Sequence, residues 1–205
     1  MTRSESYGQA RKLTPVDRFG VWLSARSVKR AVGSLVGKDI GDFGCGYNAT
    51  FVRSVLAEVA TATLADVSIA DDLHQEPKLT IIAGELPGTL ATVPDQSLDV
   101  VLCLSVVEHV AEPELMLAHF RRIIRDPGIC VINVPTWLGK RFLELSAFRL
   151  GLSPMTEMDD HKRYYDPRDL WPLLVGAGFI PHQIKCHRHK FGLNTIAICR
   201  TETPS

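Results

Sequence analysis

The chain has 205 residues, of which 45% are hydrophobic, and its 23 Lys and Arg residues balance its 23 Asp and Glu residues. This length suffices for one substantial core but not for a second full domain, so we predict a single domain over 1–205. A formal net charge of zero argues against a global attraction for nucleic acid or an anionic membrane. The polar N-terminus lacks a signal-peptide core and no apolar stretch could span a bilayer, so we expect a cytoplasmic protein.

Short apolar runs alternate with helical patterns along the chain, which is typical of a parallel sheet covered by helices on both faces. We predict helices over 15–36, 49–60, 86–92, 113–125, 137–150 and 167–177. Strands are predicted over 38–43, 61–66, 79–83, 98–104, 128–134, 179–187 and 193–200. The gap between the last two strands is too short for a crossover, so they must pair as an antiparallel hairpin.

The segment from Lys38 to Asn48 is the most informative, because a strand-like run ends in an acid two residues before a Gly-x-Gly turn. Such a turn presents backbone N–H groups to a ligand that approaches closely. Read as Gly44-x-Gly46-x-x-Ala49, the segment also satisfies the dinucleotide fingerprint, so a nicotinamide-dependent oxidoreductase is an alternative interpretation. Asp42 would repel a pyrophosphate, however, and it suits a ligand with a cationic amino group, such as S-adenosylmethionine.

Three segments together resemble motifs of class I S-adenosylmethionine-dependent methyltransferases of the small-molecule type: Asp42-x-Gly44-x-Gly46, the strand over 98–104 with Ser105–Val110, and the turn over 125–129. The resemblance covers residues 38–200. It implies a Rossmann-like, doubly wound, mostly parallel α/β sheet of seven strands in the order 3-2-1-4-5-7-6, closing with the antiparallel hairpin. One departure is Asn48, which replaces the usual third glycine; Asn is the next-best residue for a positive φ.

The resemblance also implies S-adenosylmethionine as the cofactor and S-adenosylhomocysteine as its product. Asp66 ends the second strand, 20 residues after Gly46, where an acid of the family accepts hydrogen bonds from both ribose hydroxyls; a helix cap or turn Asp is the alternative. Glu85 either receives the adenine amino group or is an ordinary first-turn acid. The implied cofactor-binding residues are Asp42, Gly44, Cys45, Gly46, Asn48, Asp66, Val67, Glu85, Leu86, Leu104 and Ser105.

Methyl transfer to a hydroxyl needs an aligned acceptor and a base for its proton, and a histidine suits the second task because its pKa lies near neutrality. His109, just past the fourth strand, and His161, in the charged segment 158–167, are the candidate catalytic residues. The alternatives are a helix-capping role for His109 and a surface or packing role for His161.

The acceptor is expected to contact His109, Trp137, His161, Tyr164 and Tyr165. Residues 1–36 would form an N-terminal helical cap, and 137–166 an insertion or lid on the acceptor side. Tryptophans in predicted helices, namely Trp22, Trp137 and Trp171, more often pack in a core. The basic cluster that ends at Lys190 is interpreted as a solvated hairpin tip.

A metal is not expected, because similar quinone-pathway O-methyltransferases carry an acid where this chain has Ser105. Cys45 is interpreted as a small structural residue rather than a reactive thiol. We predict transfer of a methyl group to oxygen or nitrogen of a small molecule, free or linked to a carrier or sugar. The protein would act as a monomer or homodimer without nucleic acid. The alternatives are a nicotinamide-dependent oxidoreductase and a catalytically silent, methyltransferase-like binding protein.

Overall fold

Seven strands form one sheet in the order β3-β2-β1-β4-β5-β7-β6 in a computed structural model that describes residues 5–9, 14–142 and 163–202. β1 to β5 run parallel, whereas β7 is antiparallel to both β5 and β6. The predicted strand order and terminal hairpin are therefore confirmed. The strands are β1 (Asp39–Phe43), β2 (Thr61–Asp66), β3 (Leu79–Ala83), β4 (Leu98–Leu104), β5 (Ile124–Pro135), β6 (Ile184–His189) and β7 (Asn194–Thr201).

Four α-helices lie wholly within the described ranges: α1 (Pro15–Val32), α2 (Thr50–Val55), α3 (Pro113–Ile123) and α4 (Pro167–Gly176). α1, α3 and α4 each begin with a proline, whose missing N–H costs nothing at a first helical position. Residues 137–142 are also helical. Within the described residues, no helix is both long and apolar enough to cross a membrane.

The sheet is buried on both faces, as its nearly continuous apolar strands predict. Alternate residues of β4 separate into two cores: Val100 and Leu102 face α1 and α2, whereas Val101 and Cys103 face α3 and α4. This two-sided packing places the carboxyl ends of five parallel strands along one edge of the sheet, where ligands of open α/β sheets bind.

Several predicted elements differ from the structure in type or in their bounds. The segment predicted as a helix over 86–92 forms a short 3₁₀ turn, Gly88–Thr92, because Gly and Thr have low helix propensity. β6 begins at Ile184 rather than at 179, after a 3₁₀ turn opened by Pro181, which cannot donate a ladder hydrogen bond. Three of the predicted helices, α1, α2 and α3, also end earlier than expected, at Val32, Val55 and Ile123.

Candidate active site

The glycine turn follows β1 directly at the carboxyl edge of the sheet. Gly44 and Gly46 have φ of +84° and +73°, a left-handed backbone that disfavours any side chain with a Cβ. A Cβ at Gly44 would also overlap the side chain of Val106, which follows β4. Glycine is therefore needed at position 44 because the side chain of Val106 packs directly against the turn. This contact holds the turn against the loop that follows β4.

The start of the helix after this turn differs from the sequence-based expectation. Positive φ was expected at Asn48, yet the left-handed residue is Ala49, with φ of +41°. Asn48 is exposed, whereas Ala49 is fully buried against the α1 and α2 side of the core. Burial selects the small apolar side chain at the strained position, because an amide there would lose its hydration.

Asp66 connects the end of β2 to the glycine turn. Its Oδ2 accepts a hydrogen bond from the Gly46 N–H at 2.8 Å, and its Oδ1 accepts one from the Val67 N–H at 2.8 Å. Oδ1 also accepts the Ser6 hydroxyl at 2.5 Å. A carboxylate held by several donors has a fixed orientation, so the hydrogen-bond acceptor atoms of Asp66 are held in position beside the turn.

Asp42 is the second carboxylate here and is only 3% exposed. Burial, with a smaller contribution from the charge of Asp66, raises the pKa of Asp42 to about 7. A cationic ligand group beside it would favour the ionised form, whereas a second anion would disfavour it. The half-buried Cys45 thiol lies nearby, and burial together with Asp42 and Asp66 raises its pKa well above its ordinary value. Cys45 therefore stays protonated, as expected of a structural residue.

The other residues predicted to bind the cofactor lie at or just beyond the ends of β2, β3 and β4. Val67, Leu86 and Leu104 are half-buried, whereas Glu85 and Ser105 are exposed. Ser105 has a left-handed backbone, with φ of +61°, and its N–H donates to the Asn133 carbonyl at 2.7 Å. The fold thus brings the predicted set to one edge, although the members are spread over 64 positions of the chain, from Asp42 to Ser105.

The predicted acceptor residues gather beyond β4 and β5. His109 is half-buried in a 3₁₀ turn, Val107–His109, and its N–H donates to the Val106 carbonyl at 2.9 Å. Trp137 lies 5.5 Å from Tyr164, measured between ring centroids. Tyr165 is 4% exposed, and its N–H donates to the Pro135 carbonyl at 3.0 Å. His161 lies outside the described residues.

The tryptophans do not pack in the core, contrary to expectation. Trp22, Trp137 and Trp171 are 53%, 50% and 39% exposed. Trp137 and Tyr164 share a cation, since the Lys140 ammonium lies 5.8 Å from each ring. This cluster forms an aromatic wall at the carboxyl edge, which is compatible with the predicted acceptor side.

The sequence did not predict that Glu108 and Lys190 lie close enough to interact electrostatically. Lys190 was interpreted as part of a solvated tip, yet it is half-buried, and burial lowers its pKa to about 8, opposed by the charge of Glu108. Glu108 is 1% exposed. No local sequence pattern predicts this proximity, because Glu108 lies in the 3₁₀ turn after β4 and Lys190 lies in the β6–β7 hairpin, 82 positions away.

Comparisons with known proteins agree with this geometry. A probable S-adenosylmethionine-dependent methyltransferase of Mycobacterium tuberculosis is 23% identical over 177 residues, or 83% of this chain and 60% of that protein. A ubiquinone biosynthesis O-methyltransferase of Psychrobacter cryohalolentis is 29% identical over 178 residues, or 80% of this chain and 67% of that protein. This chain therefore spans about 60% of the length of the mycobacterial relative.

A crystal structure of an S-adenosylmethionine-dependent methyltransferase from Archaeoglobus fulgidus has the same fold, with a TM-score of 0.64 and 15% identity. It is matched over 88% of this chain and 94% of that one. Residues 19–184 match the family model described as a methyltransferase domain. With the strand order, the glycine turn and the strand-end acids in place, this match shows that the chain belongs to the class I S-adenosylmethionine-dependent methyltransferase family.

Proposed function

We propose that this chain transfers a methyl group from S-adenosylmethionine to an oxygen or nitrogen atom of a small molecule, either free or linked to a carrier or sugar. The observation that carries the proposal is the joining of the glycine turn to Asp66 by the 2.8 Å hydrogen bond from Gly46. It holds a carboxylate acceptor against a left-handed turn, at the edge of the sheet where such cofactors bind.

The side chains at this edge fit the proposed cofactor chemically. Asp66 is a hydrogen-bond acceptor suited to ribose hydroxyls, and the buried Asp42 is suited to an ammonium group. The dinucleotide alternative would bring a pyrophosphate to the same turn. Asp42 and Asp66 would place two carboxyl groups beside that group, and their negative charges would repel it. We therefore favour a ligand that carries an ammonium and no phosphate.

When bound, S-adenosylmethionine supplies a methyl group made electrophilic by the positive sulfur. The protein must then align the acceptor and, for a hydroxyl, remove its proton. We assign proton removal to His109, which follows β4, and acceptor alignment to the aromatic wall of Trp137 and Tyr164. Oxygen is favoured as the acceptor atom because the Psychrobacter relative is an O-methyltransferase.

The test has two stages. Thermal melting should show that S-adenosylhomocysteine raises Tm, while NAD and NADP at equal concentration leave it unchanged, because only a ligand of the native state stabilises by mass action. Transfer of a labelled methyl group should then be screened against phenols, catechols, amines and sugars. The reverse ranking of ligands would refute the methyltransferase assignment. Binding without transfer to any acceptor would support the silent binding protein instead.

A further inference from the structure

The segment of residues 5–9 lies directly on the proposed cofactor site. Ser6 is 4% exposed although it stands near the N-terminus. Its hydroxyl donates to Asp66 Oδ1 at 2.5 Å and accepts the Ser68 N–H at 2.8 Å. This side chain is therefore fully engaged with the end of β2, rather than with its own neighbours in the chain.

The backbone of the same segment crosses the glycine turn. The Tyr7 carbonyl accepts the Tyr47 N–H at 3.0 Å, and a Cβ added at Gly46 would lie 3.1 Å from that carbonyl oxygen. Ser6 and Gln9 exchange two hydrogen bonds of 3.1 Å, which hold the segment in a compact turn. We call residues 5–9 the N-terminal strap.

The strap uses hydrogen-bonding capacity that a ribose needs. A carboxylate offers about four lone-pair positions, two on each oxygen. Ser6 and Val67 take both positions on Oδ1, and Gly46 takes one on Oδ2. Among the described residues this leaves about one position, whereas a ribose diol brings two donors. Asp66 cannot accept both hydroxyls while Ser6 remains in place.

We propose that the Ser6 hydroxyl competes with the ribose of the cofactor for Asp66, so that Ser6 sets the cofactor affinity and the strap must release Asp66 on binding. The inference rests on the proposed function, since it requires Asp66 to bind ribose. Ser6 is the member that leaves, because Val67 and Gly46 donate from backbone that is fixed by the sheet and the turn. One hydroxyl donor then replaces another, so the carboxylate is never left unpaired.

Calorimetry with S-adenosylhomocysteine tests the competition. Ser6→Ala removes the competitor and keeps the strap backbone, so the Kd should fall about three- to tenfold, roughly the value of one hydrogen bond. Ser97→Ala is the matched control, because its hydroxyl donates to the Pro94 carbonyl, away from the site; its Kd should match the wild type. An equal or higher Kd for a folded Ser6→Ala variant would overturn the inference.

Amide hydrogen exchange provides a second readout on the unmodified chain. The Ser68 N–H loses its Ser6 acceptor if the strap releases, so S-adenosylhomocysteine should accelerate exchange at Ser68. Slower exchange at this amide would contradict the competition. Asp66→Asn distinguishes the two failures. Unchanged affinity in that variant would refute the ribose role itself, whereas weakened affinity without tightening in Ser6→Ala would refute only the role of Ser6.

Discussion

Asp66 accepts a hydrogen bond from the Gly46 N–H across 2.8 Å, although the two residues stand 20 positions apart in the chain. The contact forms because β1 and β2 are adjacent and parallel, with Phe43 opposite Ala65, so that Asp66 at the end of β2 lies beside the turn that follows β1. The glycine turn and the strand-end acid are consequently one preorganised unit. Preorganisation lowers the entropic cost of binding a ligand there.

We expect Asp66→Ala to weaken S-adenosylhomocysteine binding by about 1–3 kcal/mol, the usual loss when ligand hydroxyls lose a charged acceptor. Calorimetry measures the change. Asp72→Ala is the control, because Asp72 is exposed and pairs with Arg53 at 2.7 Å on the surface. Equal losses in the two variants would indicate a general effect on the fold rather than a contact with the ligand.

Asp42 should make cofactor binding depend on pH. Because its pKa is raised to about 7, the carboxyl is mostly protonated at pH 6 and mostly ionised at pH 8. S-adenosylhomocysteine, whose ammonium favours the anion, should bind more tightly at pH 8 than at pH 6. Asp42→Asn should bind more weakly at pH 8 and lose this dependence. A wild-type affinity that is constant over this range would contradict the pairing.

Ionisation of Asp42 should have the opposite effect on folding: raising the pH should strengthen cofactor binding but lower the stability of the protein. A carboxyl whose folded pKa is raised contributes most at low pH, and this contribution declines as pH rises from about 4 through about 7. Relative to Asp42→Asn, the free energy of unfolding of the wild type should therefore fall over that window. The total change is limited to about 4 kcal/mol for a shift of about three pKa units. Urea denaturation at pH 5 and pH 8 measures it.

Gly44→Ala should destabilise the protein more than Gly37→Ala. Both glycines have positive φ, +84° and +70°, so both variants incur backbone strain of about 1 kcal/mol. A Cβ at Gly37 meets nothing within 4 Å, whereas one at Gly44 overlaps Val106. We expect an additional loss of about 1–3 kcal/mol at Gly44, measured by denaturant unfolding. Equal losses would mean that Val106 can move away freely.

His109→Ala should lower turnover by about 10²-fold or more once an acceptor is found, while cofactor affinity stays nearly unchanged, because a base acts only on the proton being removed. The measurements are kcat and the Kd of S-adenosylhomocysteine. His182→Ala, at an exposed position after α4, serves as the control. A loss of affinity with kcat intact would assign His109 to binding instead.

The sequence by itself determined the approximate positions of the seven strands and of the strand-end acids, whereas the strand order followed from the resemblance to a known family. Apolar runs of strand length reflect burial on both sheet faces, a local property that each segment carries alone. The short separation of β6 and β7 fixed their antiparallel pairing for a similar reason. Even the 20-residue spacing between Gly46 and Asp66 follows from one strand-helix-strand unit.

Only the tertiary structure decided which residues from distant parts of the chain contact those elements. Ser6 reaches Asp66 over 60 positions, and Val106 meets Gly44 from the loop that follows β4. The left-handed residue proved to be Ala49 instead of Asn48, because burial outweighed the intrinsic preference of Asn. Lys190 became half-buried through neighbours that its own hairpin does not contain. Such contacts depend on which surfaces the folded sheet brings together, and no local pattern of residue types encodes that.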